Sequence, residues 1–506
     1  MLYRVNKELY WGVILSYVTT FVSLGVSLLL TPIIIRLLGQ SDYGLYESIG
    51  SFVNYLAVLD LGFSAVVTRY AAKYQINGDI EGRDRFLYTC RNIYLVLCGI
   101  ILAIGIVLYN CIDSAFGHSF DAVELHRAHQ LFIVVLLTTV VSIFSQVYKG
   151  VLTGIELFIW PRVIQLFKAV FSKVVSIVIL YHGSNSVGFT SVMLAFEIVA
   201  CLLVMYKAHQ HVHFRKNSMP FSQVKEIFLF SGNLFIMAIV AQIYWQVDKL
   251  VLGICVGTVT VAIYSAALNI ENIVRNVSSS IKDVLIPRAT RIDLDSPDSS
   301  QRITDFMVKS GRIIFVVYGL LISGLTVLGY KFIYLWLGED YVSAVPILLI
   351  LGYSTFIPTV ILPGEELCKT YNKHGPLAFM YLFISLVNVI LTFVLVKQMG
   401  MYGAAIATAV GLFVGNVFMS LLYYRKVLSI RIGRLFFGLF RRLFVVFLST
   451  TVFGYYLNKV LDYQNWLTLI AEGLVMTIFY SVFLMLYGFN SEEKTLAIRL
   501  LEKIKR

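Results

Sequence analysis

Residues 11–35 read WGVILSYVTTFVSLGVSLLLTPIII, twenty-five residues without a charged side chain. An α-helix rises 1.5 Å per residue, so about 20 apolar residues cross the ~30 Å of hydrocarbon in a bilayer. The run is flanked by Arg4 and Lys7 on one side and Arg36 on the other. It is too long for the apolar region of a signal peptide and lacks a small-x-small cleavage site, so it is expected to persist as a first membrane span.

The same reading carried along the chain finds fourteen such runs. They cover 11–35, 43–67, 87–109, 129–148, 163–181, 188–206, 227–246, 257–280, 312–330, 345–363, 376–396, 401–423, 441–458 and 466–487. Composition agrees: 58% of residues are hydrophobic and 14% are charged. Soluble domains carry about a quarter charged residues. The fold class expected is an all-α polytopic membrane protein with no room for a soluble catalytic domain, and the reading excludes a soluble enzyme.

Lysine and arginine set the expected sides, because cytoplasmic connections carry their excess. With the N-terminus inside, the inner connections hold 31 basic residues and the outer ones six: Arg36, Arg127, Lys249, Lys331, Lys397 and Lys459. Both termini are therefore expected in the cytoplasm. The formal net charge of +12 is topogenic on this reading, not a nucleic-acid footprint. Residues 491–506, SEEKTLAIRLLEKIKR, are long enough for one amphipathic surface helix.

A repeat is visible. Span 1 runs into LLGQSDYGLY, with Gly39 seven residues before Tyr46, and span 7 runs into CVGTVTVAIY, with Gly257 seven residues before Tyr264. The offset of 218 residues is where a six-plus-six duplication would place it. The expected organisation is an N-terminal six-helix lobe (1–206), an inter-lobe loop (207–226), a C-terminal six-helix lobe (227–423), a further helix pair (441–487) and a tail (488–506).

TPIIIRLLGQSDYGLYE (31–47), LDLGFSAVVTRYAAKY (59–74), KGVLTGIELFIWPR (149–162) and YGAAIATAV (402–410) resemble the polysaccharide transporters of the multidrug/oligosaccharidyl-lipid/polysaccharide exporter superfamily. The likeness is greatest to its O-antigen and capsule repeat-unit flippases. It implies two pseudo-symmetric lobes around an alternating-access cavity. It also implies a cargo of undecaprenyl-diphosphate-linked oligosaccharide moved across the cytoplasmic membrane of a bacterium, with spans 13 and 14 added as in lipid-carrier flippases. Membrane lipids, a polysaccharide polymerase and glycosyltransferases are the implied partners, and H+ or Na+ is the implied coupling ion, with no cofactor. Competing readings are a flippase for a teichoic acid or peptidoglycan precursor, an ion-coupled drug antiporter, and a membrane enzyme of the same pathway.

Charges inside spans are costly and usually face a cavity or a partner. Lys168 and Lys173 on span 5, Arg275 on span 8 and Arg91 on span 3 are the candidate cations for a diphosphate. Two readings stand side by side. In one, these cations line a cavity; in the other, Lys173 pairs with Glu197, Arg275 pairs with Glu271 four residues earlier, and Lys168 snorkels to the interface. Asp60, Glu47 and Glu197 are the carboxylates placed to couple an ion or to serve as structural partners, Asp60 for the Arg69 region or as a cap. Asp248 and Lys249 read as a surface pair.

Other signals carry less. His209, His211 and His213 in KAHQHVHFRK have metal-ligand spacing but sit in a basic loop and read as solvated. The six cysteines show no C-x-x-C spacing and read as packing residues. No G-x4-G-K-[ST], G-x-S-x-G or H-E-x-x-H motif occurs, which leaves no ATPase, hydrolase or metalloprotease reading.

Overall fold

The computed structural model describes residues 2–60, 63–212, 221–289, 298–461 and 464–504. Within them the chain is helical: α1 (Leu2–Asn54), α2 (Phe63–Ile76), α3 (Ile80–Asn110), α4 (Ile112–Phe116), α5 (Ala122–Gly154), α6 (Ile159–Tyr181), α7 (Ser186–His209), α8 (Phe221–Cys255) and α9 (Thr258–Ala289). There follow α10 (Ser299–Leu337), α11 (Ala344–Thr370), α12 (Gly375–Met399), α13 (Met401–Gly411), α14 (Ser420–Leu428), α15 (Ile432–Phe440), α16 (Leu443–Val460), α17 (Trp466–Phe483) and α18 (Ser491–Ile504). A helix satisfies its own backbone hydrogen bonds, which is what hydrocarbon demands of a spanning segment.

Among the described residues, eleven helical stretches are long and apolar enough to cross a membrane. The first, Ile14–Asp60, takes in most of the first two expected spans, and the expected spans 227–246 and 257–280 lie in α8 and α9. Every apolar run of the sequence thus has its helix, and the protein is an all-α, multi-pass membrane protein.

Gly39 separates the two spans inside α1, with φ 77° and ψ 170°, and Gly257 separates α8 from α9 at φ 127°. Both dihedrals lie where side chains other than glycine's are strained. The repeated glycine therefore marks a positive-φ turn between two spans in both places.

The second expected span is not continuous. α1 ends at Asn54, a 3-10 turn occupies Tyr55–Asp60, and α2 begins at Phe63. Asp60 thus stands at a helix interruption and not on a regular helical face.

The chain forms two compact units, Met1–Ser265 and Ala266–Arg506, and the division falls inside α9. The sequence reading opens the C-terminal lobe (227–423) within α8, and α8 packs on α1 in the first unit. Their contact includes an ion pair from Lys249 to Glu47 at 3.1 Å. In the first unit α5 is the central helix, touching α1, α2, α3 and α7; in the second, α10 touches α11, α15, α16 and α17. α5 starts at a capping box: Asp121 accepts from the Glu124 N–H at 2.7 Å, and the Glu124 carboxylate accepts from the Asp121 N–H at 3.1 Å. His213 lies outside the described residues, as do 214–220 of the expected inter-lobe loop.

Candidate functional site

Thr138, Ser142, Gln146, Lys149 and Thr153 follow one another on α5 at spacings of four, four, three and four. At 3.6 residues per turn they fall within an arc of about 80° and extend over about 22 Å along the helix. They form a polar stripe along the C-terminal half of α5, and the structure opens two cavities along it.

The first cavity, of about 380 Å³, is cationic: Lys149 and Thr153 of α5 face Arg162, Gln165 and Lys168 of α6. Arg162 donates to the Gln165 side-chain oxygen at 3.3 Å. The second, of about 360 Å³, is acidic and hydroxyl-rich, with Asn54, Asp60, Thr138, Thr139, Thr190 and Glu197 on its walls. Ser142 and Gln146 line both. Glu197 and Lys168 join the two across their shared wall, Lys168 donating to Glu197 Oε2 at 2.6 Å. Glu197 is 4% exposed, and its other oxygen, Oε1, is buried without a hydrogen-bond partner.

The sequence-derived candidates distribute unevenly over this geometry. Lys168 and Glu197 lie in it and pair with each other. Lys173 does not pair with Glu197, as one reading had it; its ammonium donates to Ser27 Oγ of α1 at 3.0 Å. Five residues turn a helix by about 140°, so Lys168 and Lys173 of α6 face different neighbours. Lys173 lines neither cavity.

Arg91 stacks its guanidinium over the Tyr88 ring at 4.8 Å and also lies off both linings. Arg275 belongs to the second unit and sits 3.3 Å from Glu271, the i, i+4 strut. Asp60 faces the acidic cavity, accepts a hydrogen bond from the Tyr94 hydroxyl at 2.7 Å and is also hydrogen-bonded by the backbone and side chain of Ser64 in the first turn of α2, as a capping group is. Glu47 is held by Lys249. Asp248 and Lys249 are not a surface pair: Asp248 is 2% exposed and accepts from the Tyr264 hydroxyl at 2.5 Å, because adjacent residues on a helix point to different sides.

Lys149, Arg162 and the hydroxyl and amide groups of α5 are the site residues that a search for charges within spans misses. The signal that finds them is the polar spacing itself, 138, 142, 146, 149 and 153. No group of three or more His, Cys, Asp or Glu among the described residues is arranged to hold a metal ion.

Residues 9–293, more than half of the chain, match the family of polysaccharide biosynthesis proteins. The chain belongs to that family. Over 96% of both chains it is 21% identical to the "Uncharacterized membrane protein EpsK" of Bacillus subtilis (strain 168). It is 22% identical to the "Putative O-antigen transporter" of Shigella flexneri over 77% of this chain and 91% of that one. Among solved structures, the lipid II flippase MurJ in its inward closed conformation superposes with a TM-score of 0.71, covering 93% of this chain and 99% of that one at 17% identity. That likeness concerns the fold. Family and fold both agree with the superfamily that the motifs resemble.

Proposed function

We propose that this protein is a flippase that carries an undecaprenyl-diphosphate-linked oligosaccharide repeat unit from the inner to the outer leaflet of the bacterial cytoplasmic membrane by alternating access, for surface polysaccharide biosynthesis. Both termini are cytoplasmic on this reading, and a proton or sodium gradient is the driving force.

The observation that carries the proposal is the α5 stripe with the cations beside it. A diphosphate cannot enter hydrocarbon unaided, and Lys149, Arg162 and Lys168 on two adjacent helices supply charge-assisted donors for it. Of the three, Lys168 is already paired with Glu197. Lys149 and Arg162 therefore make the main electrostatic contacts, with Gln146, Gln165 and Thr153 as neutral donors. The lipid tail stays in the bilayer while the head group travels. A teichoic acid or peptidoglycan precursor presents the same anionic linkage, so this cavity recognises what these cargoes share.

The test replaces Lys149 and Arg162 together by Gln in cells lacking the native protein. The expected result is loss of surface polysaccharide with lipid-linked repeat units accumulating in the inner leaflet, at normal protein abundance. Polysaccharide at the wild-type level in that variant would sink the proposal.

A further inference from the structure

The acidic cavity has no role in holding a diphosphate, and its chemistry is of another kind. Its walls carry hydroxyls and amides that both donate and accept, from Asn54, Thr138, Thr139, Ser142, Gln146 and Thr190. Two carboxylates, Asp60 and Glu197, join them as pure acceptors. Tyr46 adds an aromatic face, held edge-on against Phe189 at 5.3 Å between ring centres. At about 360 Å³ the space is at the small end of the roughly 300–1,000 Å³ typical of small-molecule sites.

One polar atom there lacks a partner. Glu197 Oε1 is buried and accepts no hydrogen bond, although Oε2 of the same carboxylate holds Lys168. An unpaired buried acceptor is costly unless a ligand supplies the donor. Asp60 has a neutral partner, the Tyr94 hydroxyl, so its charge is not cancelled by that contact.

We propose that this cavity is a sugar subsite, reading the residue attached directly to the diphosphate, and that Asp60 and Glu197 select an uncharged sugar over an acidic one. The inference rests on the flippase reading. Continuity supports it: the wall shared by the two cavities, Ser142 and Gln146, puts the sugar next to the diphosphate as the covalent structure of such a cargo requires. Sugar hydroxyls donate to Glu197 Oε1 and to the Asp60 carboxylate. Lys168 offsets the charge of Glu197 but no ion pair among the described residues offsets that of Asp60, so a uronic acid brings a second uncompensated negative charge into the same low-dielectric space and is repelled.

The experiment measures binding of three probes to the purified full-length protein in lipid nanodiscs: polyprenyl diphosphate without sugar, the same lipid bearing one N-acetylhexosamine, and the same lipid bearing one uronic acid. The wild type should bind the N-acetylhexosamine lipid at least about tenfold more tightly than the uronic acid lipid. In Asp60→Asn combined with Glu197→Gln, near-isosteric changes that keep the polar shape, that preference should vanish, while the sugar-free lipid, with Lys168 released from its ion pair, binds at least as tightly as before. Thr139→Val provides a second, neutral variant and should weaken only the sugar-bearing lipids.

If the N-acetylhexosamine lipid binds no better than the sugar-free one, there is no sugar subsite, and the flippase reading is untouched. If no diphosphate lipid binds at all, the flippase reading itself falls. If the double variant alters only a sodium or proton dependence and leaves sugar discrimination intact, the carboxylates are an ion site and the inference is overturned.

Discussion

α5 and α10 are each the central helix of a compact unit, and they treat polar residues in opposite ways. On α5 the stripe from Thr138 to Thr153 lines two cavities, with Lys149 unburdened by any ion pair among the described residues. On α10 both deeply buried cations are consumed by the fold. Arg312, 3% exposed, makes a fork to Glu493 at 2.6 and 2.8 Å and donates to the carbonyls of Gly438 and Gly488 at 2.9 and 2.7 Å. Lys331 donates to Glu472 at 2.8 Å and to the Leu461 carbonyl at 3.1 Å.

Arg312 and Lys331 are nineteen positions apart, about 28 Å along the helix and close to the thickness of the hydrocarbon layer. α10 is thus tied at one end to Glu472 of α17 and to Leu461 after α16, and at the other to α15, α18 and the residue Gly488 that follows α17. The lesson is that a charge within a span is a site or a strut according to whether its neighbours already satisfy it, and the two units specialise accordingly.

Breaking the strut side should cost most. Lys331→Met strands Glu472 uncompensated in the interior and should lower the stability of the purified protein by about 3–5 kcal/mol, read from thermal unfolding in detergent. Pairing it with Glu472→Leu should recover most of that loss; a double variant as unstable as the single one would show that the pair is not the cause.

Arg312→Lys keeps the charge but loses the planar fork and should cost about 2 kcal/mol. The tail after Gly488 should then be cut faster by protease, and unchanged cutting would deny Arg312 its role as the clasp. On the open side, Lys149→Gln should leave unfolding within about 0.5 kcal/mol of wild type. It should weaken binding of a polyprenyl diphosphate about tenfold, the worth of one charge-assisted hydrogen bond. Lys173→Met, which loses a contact to Ser27 and no cavity group, should cost about 1 kcal/mol of stability and leave transport per molecule unaltered. A transport defect larger than its stability loss would move Lys173 back into the site.

The fold was legible because hydrocarbon imposes a length, and runs such as 11–35 and 466–487 display it directly. The Gly39 and Gly257 turns were legible for the same kind of reason, since a left-handed residue leaves its trace in one position. The site was less so. A search for buried charge found Lys168 and Glu197 but also drew in Arg91, Lys173 and Arg275, because the neighbour a side chain meets depends on packing between helices distant in sequence. Lys149 was read as a loop residue, one position past the expected end of span 4. The break at Tyr55–Asp60 falls in the middle of an apolar run whose length alone predicted a continuous helix.

The central claim is that an anionic head group travels along the α5 stripe of the first unit. A polyprenyl diphosphate probe carrying a photoreactive group beside the diphosphate, cross-linked to the protein in membranes and mapped by peptide mass spectrometry, tests it directly. Labelling should concentrate between Thr138 and Lys168 and fall sharply in Lys149→Gln. Labelling confined to α11–α13, or unaffected by that substitution, would contradict it.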